Sequence, residues 1–146
     1  MASFPYFSQG TVVKGFGRGS KELGIPTANL PEEVVNQLPS HIDTGVYYGW
    51  ASVNNGPVYK MVMSIGWNPY YKNTVKSMEA HLIHVFDDDF YGSNLKVCIL
   101  GYLRPERGFS SLEELKTAIF NDIENGKTKL DEESNQKYKD HEFFLS

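Results

Sequence analysis

The chain has 146 residues, close to one typical domain of roughly 150 residues, and residues 1–146 are expected to form a single domain. Hydrophobic residues make up 40% and charged residues 22% of the sequence, which excludes a disordered or low-complexity chain. The net charge of −4 argues against a nucleic-acid-binding protein, because such proteins normally carry a basic face. The apolar runs are too short for a membrane helix, and the N-terminus has no secretory pattern. A lone cysteine, Cys98, fits a reducing compartment, so we expect a soluble cytoplasmic protein.

The first two thirds of the sequence favour short β-strands, beginning with the β-branched segment Thr11–Lys14. Thr44–Val53 is rich in aromatic and β-branched residues and ends at Asn54-Asn55-Gly56, a strong turn signal. Val58–Ile65 follows at once, so these two segments are predicted to form an antiparallel hairpin. Alternating apolar residues predict two further strands, Lys76–Phe86 and Leu95–Leu103.

One convincing helix follows the strands. Ser111 and Glu114 have the spacing of a capping box, and apolar residues recur at helical spacing over Leu112–Asn125. Gly126 stands where a helix normally ends, and residues 131–146 form a polar extension, either a weaker helix or a tail. Antiparallel strands with a terminal helix predict an all-β closed barrel with the helix packed outside.

The segment Gly15–Leu30 is the most unusual in the sequence. In its first part Gly15, Gly17 and Gly19 occur at every second position, with Arg18 between the last two and Ser20 and Lys21 after them. Glycine lets successive backbone amides form an anion-binding nest, to which the cations add charge. The spacing matches neither the dinucleotide fingerprint nor the P-loop. A flexible hairpin connection explains the same residues about equally well.

Thr27 and Asn29 stand two residues apart after a proline, so in an extended segment their side chains share one face. Two neutral oxygens beside a phosphate site would suit Mg²⁺ bound together with ATP. A turn in which both side chains cap nearby amides is the alternative, and from the two residues alone it is favoured.

Glu79 lies in the middle of a predicted strand, on its less apolar face. A carboxylate near a barrel mouth could take a proton from a substrate hydroxyl. An exposed strand glutamate without a catalytic role is the more common case.

Several motifs taken together closely resemble those of the monofunctional riboflavin kinases of eukaryotes. The resemblance runs over nearly the whole chain, from about Pro5 to the end of the helix. It is carried by GRGSKELGIPTANL, TGVYYGWASV, SIGWNPYYKN, SMEAHLI, DFYG and GYLRPE. It implies a six-stranded antiparallel barrel with Greek-key-like topology. It also implies transfer of the ATP γ-phosphoryl group to the riboflavin 5′-hydroxyl, giving FMN and ADP.

The same resemblance implies roles for individual residues. The glycine-rich loop would cover the nucleotide phosphates, Thr27 and Asn29 would bind the metal and phosphates, and Glu79 would be the catalytic carboxylate. Adenine would lie near Leu82, His84 and Tyr91, and the flavin near Arg104 and Arg107. Mg²⁺ or another divalent metal would accompany ATP, and the protein would act as a monomer without nucleic-acid or membrane partners.

Two other functions remain to be compared with this one. A barrel that carries flavin without making it would need aromatic loop residues, but neither the basic glycine nest nor the Thr27/Asn29 pair. An oligonucleotide-binding barrel would need surface aromatics with a basic groove, which the negative net charge disfavours.

Overall fold

The structure is a computed structural model that describes residues 4–13, 27–67, 76–83, 92–106 and 111–144. It contains six β-strands: β1 (Tyr6–Thr11), β2 (Thr27–Asn29), β3 (Gly45–Val53), β4 (Val58–Trp67), β5 (Lys76–Leu82) and β6 (Asn94–Arg104). Its helices are α1 (Glu32–Val35), α2 (Leu112–Leu130) and α3 (Glu133–Gln136), followed by 3₁₀ turns at Lys137–Asp140 and Glu142–Phe144.

The six strands form one antiparallel sheet in the order β1-β6-β3-β4-β5-β2. The sheet curls into a half-barrel with helices packed outside, which confirms the predicted strands and external helix. Between the edge strands β1 and β2, the described residues share a single bridge, in which the Val13 N–H donates to the Asn29 carbonyl at 2.9 Å. The described residues therefore form a half-barrel whose edges meet at one bridge, and full closure of the barrel stays a prediction.

The β3–β4 hairpin forms as predicted. Asn54 and Asn55 have φ angles of 51° and 60°, so both occupy the left-handed region that a type I′ turn requires. The β3–β4 ladder runs from Ser52↔Val58 to Gly45↔Ile65. Turn chemistry thus fixes the register of the two strands.

A close backbone approach explains one glycine of β3. The β3–β6 ladder shifts register between Tyr48 and Gly49, and a Cβ on Gly49 would overlap the backbone carbonyl of Cys98. A residue with a side chain would push the two strands apart. This close packing is the kind of feature expected of glycine inside a strand.

Apolar side chains fill both faces of the sheet. The inner core includes Tyr47, Ala51, Met61, Met63, Ile65, Met78, Ala80, Leu82, Leu95, Val97 and Ile99. A smaller outer cluster consists of Trp50, Cys98, Leu100, Leu130 and Phe144. The alternation predicted for β5 is confirmed, because Met78, Ala80 and Leu82 are all inside.

Some predicted boundaries were wrong. The first strand covers Tyr6–Thr11, because the ladder with β6 selects the earlier residues. Of the predicted Thr11–Lys14 segment, Thr11 ends this strand, Val13 forms an isolated bridge, and Lys14 lies outside the described residues. The sixth strand extends to Arg104. Strand β5 ends at Leu82, whereas the predicted strand ran to Phe86. Residues 84–86 of that prediction lie outside the described ranges.

Helix α2 begins as predicted and ends later. The Ser111 hydroxyl accepts the Glu114 N–H at 3.2 Å, which caps the first turn. The helix then passes through Gly126, where a Cβ would lie 2.6 Å from Val62 Cγ1. Gly126 therefore lets the helix approach β4 closely, and the helix continues to Leu130.

The polar C-terminal extension is folded onto the outer face of the sheet. The Trp50 indole N–H donates to the Asn135 carbonyl at 3.0 Å, and Lys96 Nζ donates to the Phe143 carbonyl at 3.1 Å. Phe144 is 3% exposed within the outer cluster. Of the two alternatives for residues 131–146, the described part is therefore short helical turns. No helix in the described part of the chain is long and apolar enough to cross a membrane.

Candidate active site

The pairing of β2 with β5 brings two distant parts of the sequence together. Thr27 pairs with His81, Ala28 with Ala80, and Asn29 with Glu79. Residues directly opposite in an antiparallel pair have Cβ atoms about 4.5–5.5 Å apart and point to the same face. Because Ala80 belongs to the inner core, Asn29 and Glu79 share the outer face.

Glu79 belongs to a row of residues that crosses five strands. Asn29 pairs with Glu79, Glu79 with Ser64, Ser64 with Val46, and Val46 with Arg104. We call these five residues the cross-strand row. Neighbouring strands are about 4.8 Å apart, so Glu79 and Arg104 are about 14 Å apart measured along the curled sheet. A single elongated ligand could therefore contact both residues.

The Glu79 carboxylate lies beside a neutral histidine. Its Oε1 is 3.6 Å from His81 Nε2, and the two side chains are 20% and 8% exposed. Burial lowers the pKa of His81 from 6.5 to about 4, so the imidazole is uncharged near neutral pH. The contact between them is consequently not an ion pair, and His81 does not neutralise the negative charge of Glu79.

Asn29 offers an oxygen ligand next to that carboxylate. Its side chain is 9% exposed, and no hydrogen bond of its amide is found among the described residues. An amide oxygen is a hard donor of the kind that Mg²⁺ accepts when substrate phosphates and water complete its coordination. Asn29 therefore fits as a ligand of such an ion. Within the same described residues, no group of three His, Cys, Asp or Glu could hold a metal without a substrate.

Comparisons with known proteins agree with this geometry. The family model described as "Flavokinase: Riboflavin kinase" matches residues 2–130. The chain is 62% identical to the riboflavin kinases of Mus musculus and Homo sapiens, over 99% of this chain and 93% of each relative. The crystal structure of riboflavin kinase from Trypanosoma brucei superposes with a TM-score of 0.75 and 31% identity, covering 97% of this chain and 87% of that one.

The chain belongs to the riboflavin kinase family. Its activity is the phosphorylation of riboflavin to FMN, and the family uses ATP as co-substrate and generally a divalent metal. A flavin-binding barrel without catalysis is not favoured.

At the other end of the cross-strand row, an ion pair joins β6 to α2. Arg104 Nε and Nη2 donate to the two carboxylate oxygens of Asp122 at 2.7 and 2.8 Å, and Arg104 Nη1 donates to the Pro105 carbonyl at 3.0 Å. Asp122 is 6% exposed. This paired geometry orients the guanidinium and anchors the segment that follows β6.

The structure describes only some of the other residues that the riboflavin kinase resemblance assigned to the site. Leu82 is 1% exposed in the inner core, so only its backbone could contact a nucleotide. For Thr27 the structure describes the backbone in β2 but not the side chain. The remaining assigned residues lie outside the described residues: Gly15, Gly17, Arg18, Gly19, Ser20, Lys21, His84, Tyr91 and Arg107.

Three residues near the site were missed by the sequence analysis. Asp122 lies next to Ile119 and Ile123 of the apolar helix stripe, so a carboxylate on a buried face was a readable signal. His81 shares the predicted face of Glu79, but nothing in the sequence indicates its burial. Ser64 carries no local signal, because only the β4–β5 register places it beside Glu79.

Proposed function

We propose that Glu79 is the general base that accepts the proton of the riboflavin 5′-hydroxyl. The observation that supports this role is the pairing of Asn29 with Glu79 across β2 and β5. It puts the Glu79 carboxylate on the same face of the sheet as Asn29, the candidate residue for the phosphate side of the site. Because His81 is neutral, the carboxylate has no imidazolium beside it to weaken it as a base. Glu79 is also partly exposed, so a substrate hydroxyl can reach it.

The nucleotide side of the site is proposed at β2. Asn29 and Thr27 would hold the divalent ion that accompanies ATP, and this ion would neutralise charge on the phosphate oxygens. Support comes from the largely buried Asn29 amide beside Glu79, which has no hydrogen bond among the described residues. The preceding loop would hold the phosphates through its amides and cations: Gly15, Gly17, Arg18, Gly19, Ser20 and Lys21.

The acceptor and adenine would lie on either side of this centre. Arg104, at the far end of the cross-strand row, would contact the flavin together with Arg107. The separation of about 14 Å between Arg104 and Glu79 suits a ligand whose ring and reactive hydroxyl are at opposite ends. Adenine would lie near the Leu82 backbone, His84 and Tyr91.

The chemical step transfers one phosphoryl group. The riboflavin 5′-oxygen forms a bond to the γ-phosphorus while the bond from that phosphorus to the β–γ bridging oxygen breaks, and ADP leaves. The proton of the 5′-hydroxyl passes to a carboxylate oxygen of Glu79. Because the transition state is loose, positioning and charge neutralisation contribute most, and general base catalysis adds about 10²- to 10⁴-fold.

Glu79→Gln tests this assignment, because it keeps the size of the side chain and removes the base. We expect kcat to fall by about 10²- to 10⁴-fold while the dissociation constant of Mg-ATP changes little. Glu33→Gln, at an exposed position of α1, is the matched control and should have normal kcat. Near-normal turnover of Glu79→Gln would remove Glu79 from the role.

The metal assignment has a separate test. Thr27→Ala is expected to raise the Mg²⁺ concentration needed for half-maximal activity, with the KM of riboflavin unchanged. An unaltered Mg²⁺ dependence would contradict a metal site at β2.

We further propose that the sheet closes into a barrel at the Val13–Asn29 bridge and that the protein acts as a cytoplasmic monomer. The bridge supports closure, since its hydrogen bond joins the two edges. Slow hydrogen exchange at the Val13 amide is expected if the edges stay joined, and exchange as fast as in a free peptide would contradict closure. Light scattering should give a mass near 16.5 kDa, whereas twice that mass would contradict a monomer.

A further inference from the structure

Ser64 lies beside Glu79 and has no assigned role in the reaction. It pairs with Glu79 across β4–β5 and with Val46 across β3–β4, so it stands on the side of Glu79 opposite Asn29. The side chain is half-buried, and no hydrogen bond of its hydroxyl is found in the described part of the chain. The hydroxyl is therefore available to a ligand.

The neighbours of Ser64 on β4 are each covered by another part of the chain. Val62, two residues before Ser64 on the same face, is covered by α2 at Gly126. Gly66, two residues after it, is approached by the Glu106 carboxylate so closely that a Cβ on Gly66 would overlap it. Ser64 thus lies between a helix on one side and the segment after β6 on the other.

The direction of phosphoryl transfer determines which ligand would lie next to Ser64. In an in-line transfer the attacking and leaving oxygens lie on opposite sides of the phosphorus. With the nucleotide phosphates at Asn29, the acceptor must approach Glu79 from the side of Ser64. Val46, the next member of the row, is buried and apolar, so Ser64 is the last polar side chain before Arg104.

We propose that Ser64 hydrogen-bonds the hydroxyl-bearing side chain of the flavin substrate and so positions its terminal hydroxyl at Glu79. This inference rests on the proposed function, because it takes Glu79 as the proton acceptor. A serine hydroxyl both donates and accepts, and it can rotate to suit either need. The hydroxyl groups along a polyol chain likewise donate and accept hydrogen bonds, so the serine hydroxyl and the polyol chain are chemically complementary.

The test compares two acceptors with the intact protein. One is riboflavin, and the other is a flavin analogue with a 5-hydroxypentyl chain, which keeps the reactive hydroxyl and lacks the others. Ser64→Ala is expected to lower kcat/KM for riboflavin by about 2- to 10-fold, the value of a neutral hydrogen bond. For the analogue, Ser64→Ala and the unsubstituted protein should have equal kcat/KM, and the KM of ATP should be unchanged.

Ser52→Ala is the matched control. Ser52 lies on β3 and is fully buried, and among the described residues its hydroxyl has no hydrogen-bond partner, so its loss should not distinguish the two acceptors. An equal loss with both acceptors in Ser64→Ala, or no loss with riboflavin, would overturn the proposal. Glu79→Gln is measured alongside. Normal turnover in that variant would refute Glu79 as the base. The role of Ser64 is decided separately, by comparing the loss of kcat/KM in Ser64→Ala for riboflavin with the loss for the analogue.

Discussion

Acidification is expected to destabilise the protein through His81. This residue is 6% exposed on the outer face of β5, and burial lowers the pKa of its imidazole from 6.5 to about 4. In the unfolded chain the imidazole regains its ordinary pKa of about 6.5. Between these two values the unfolded state binds more protons than the folded state, so the free energy of unfolding decreases as the pH falls.

The size of this effect follows from the two pKa values. A change in the pKa of His81 from 6.5 to about 4 corresponds to about 3 kcal/mol of unfolding free energy, because each tenfold change in proton affinity is worth about 1.4 kcal/mol. The contribution is fully present above pH 6.5 and is lost progressively as the pH falls towards 4. It is a large part of the total stability of a typical domain, about 5–15 kcal/mol.

Urea unfolding at intervals between pH 4 and pH 7.5 measures the effect. We compare the unsubstituted protein with His81→Gln, which cannot be protonated, and with His41→Gln, which removes an exposed histidine. The difference in unfolding free energy between the unsubstituted protein and His81→Gln should change by about 3 kcal/mol across this range. His41→Gln should follow the unsubstituted protein. Parallel curves for His81→Gln and the unsubstituted protein would refute the reasoning.

Two further substitutions test how the outer face is held together. Asp122→Ala leaves the Arg104 guanidinium without its carboxylate, and we expect a loss of about 3 kcal/mol in urea unfolding. The exposed Glu124→Ala should change stability little, and equal effects would contradict a structural ion pair. Phe144→Ala removes a buried ring from the outer cluster and should cost about 3 kcal/mol. An unchanged melting temperature would show that the C-terminal segment is not docked in solution.

Features encoded by neighbouring residues were predicted from the sequence. The β3–β4 hairpin follows from the Asn54-Asn55 turn, whose left-handed backbone is a local property. The start of α2 follows from Ser111, because its hydroxyl caps a backbone amide three residues away. The end of α2 did not follow, since Gly126 serves packing against Val62 and not chain termination.

Features that depend on distant residues were not accessible in the same way. Glu79 and Asn29 were each proposed for the site through the resemblance to riboflavin kinases, but their adjacency comes from a strand pairing across fifty positions. Alternation alone does not give the partner or register of a strand. The packing of Phe144 against the sheet was also missed, because the segment before it is polar and the short apolar run Phe143–Leu145 does not indicate which residues it contacts.

The central claim is that Asn29 and Glu79 act together at one reacting centre. A double-mutant cycle of Asn29→Ala and Glu79→Gln, read as the single-turnover rate of FMN formation at saturating riboflavin and Mg-ATP, tests it most directly. Residues that share one site are coupled, so the combined loss should be at least about tenfold smaller than the product of the two single losses. Losses that multiply would mean independent sites and would contradict the account.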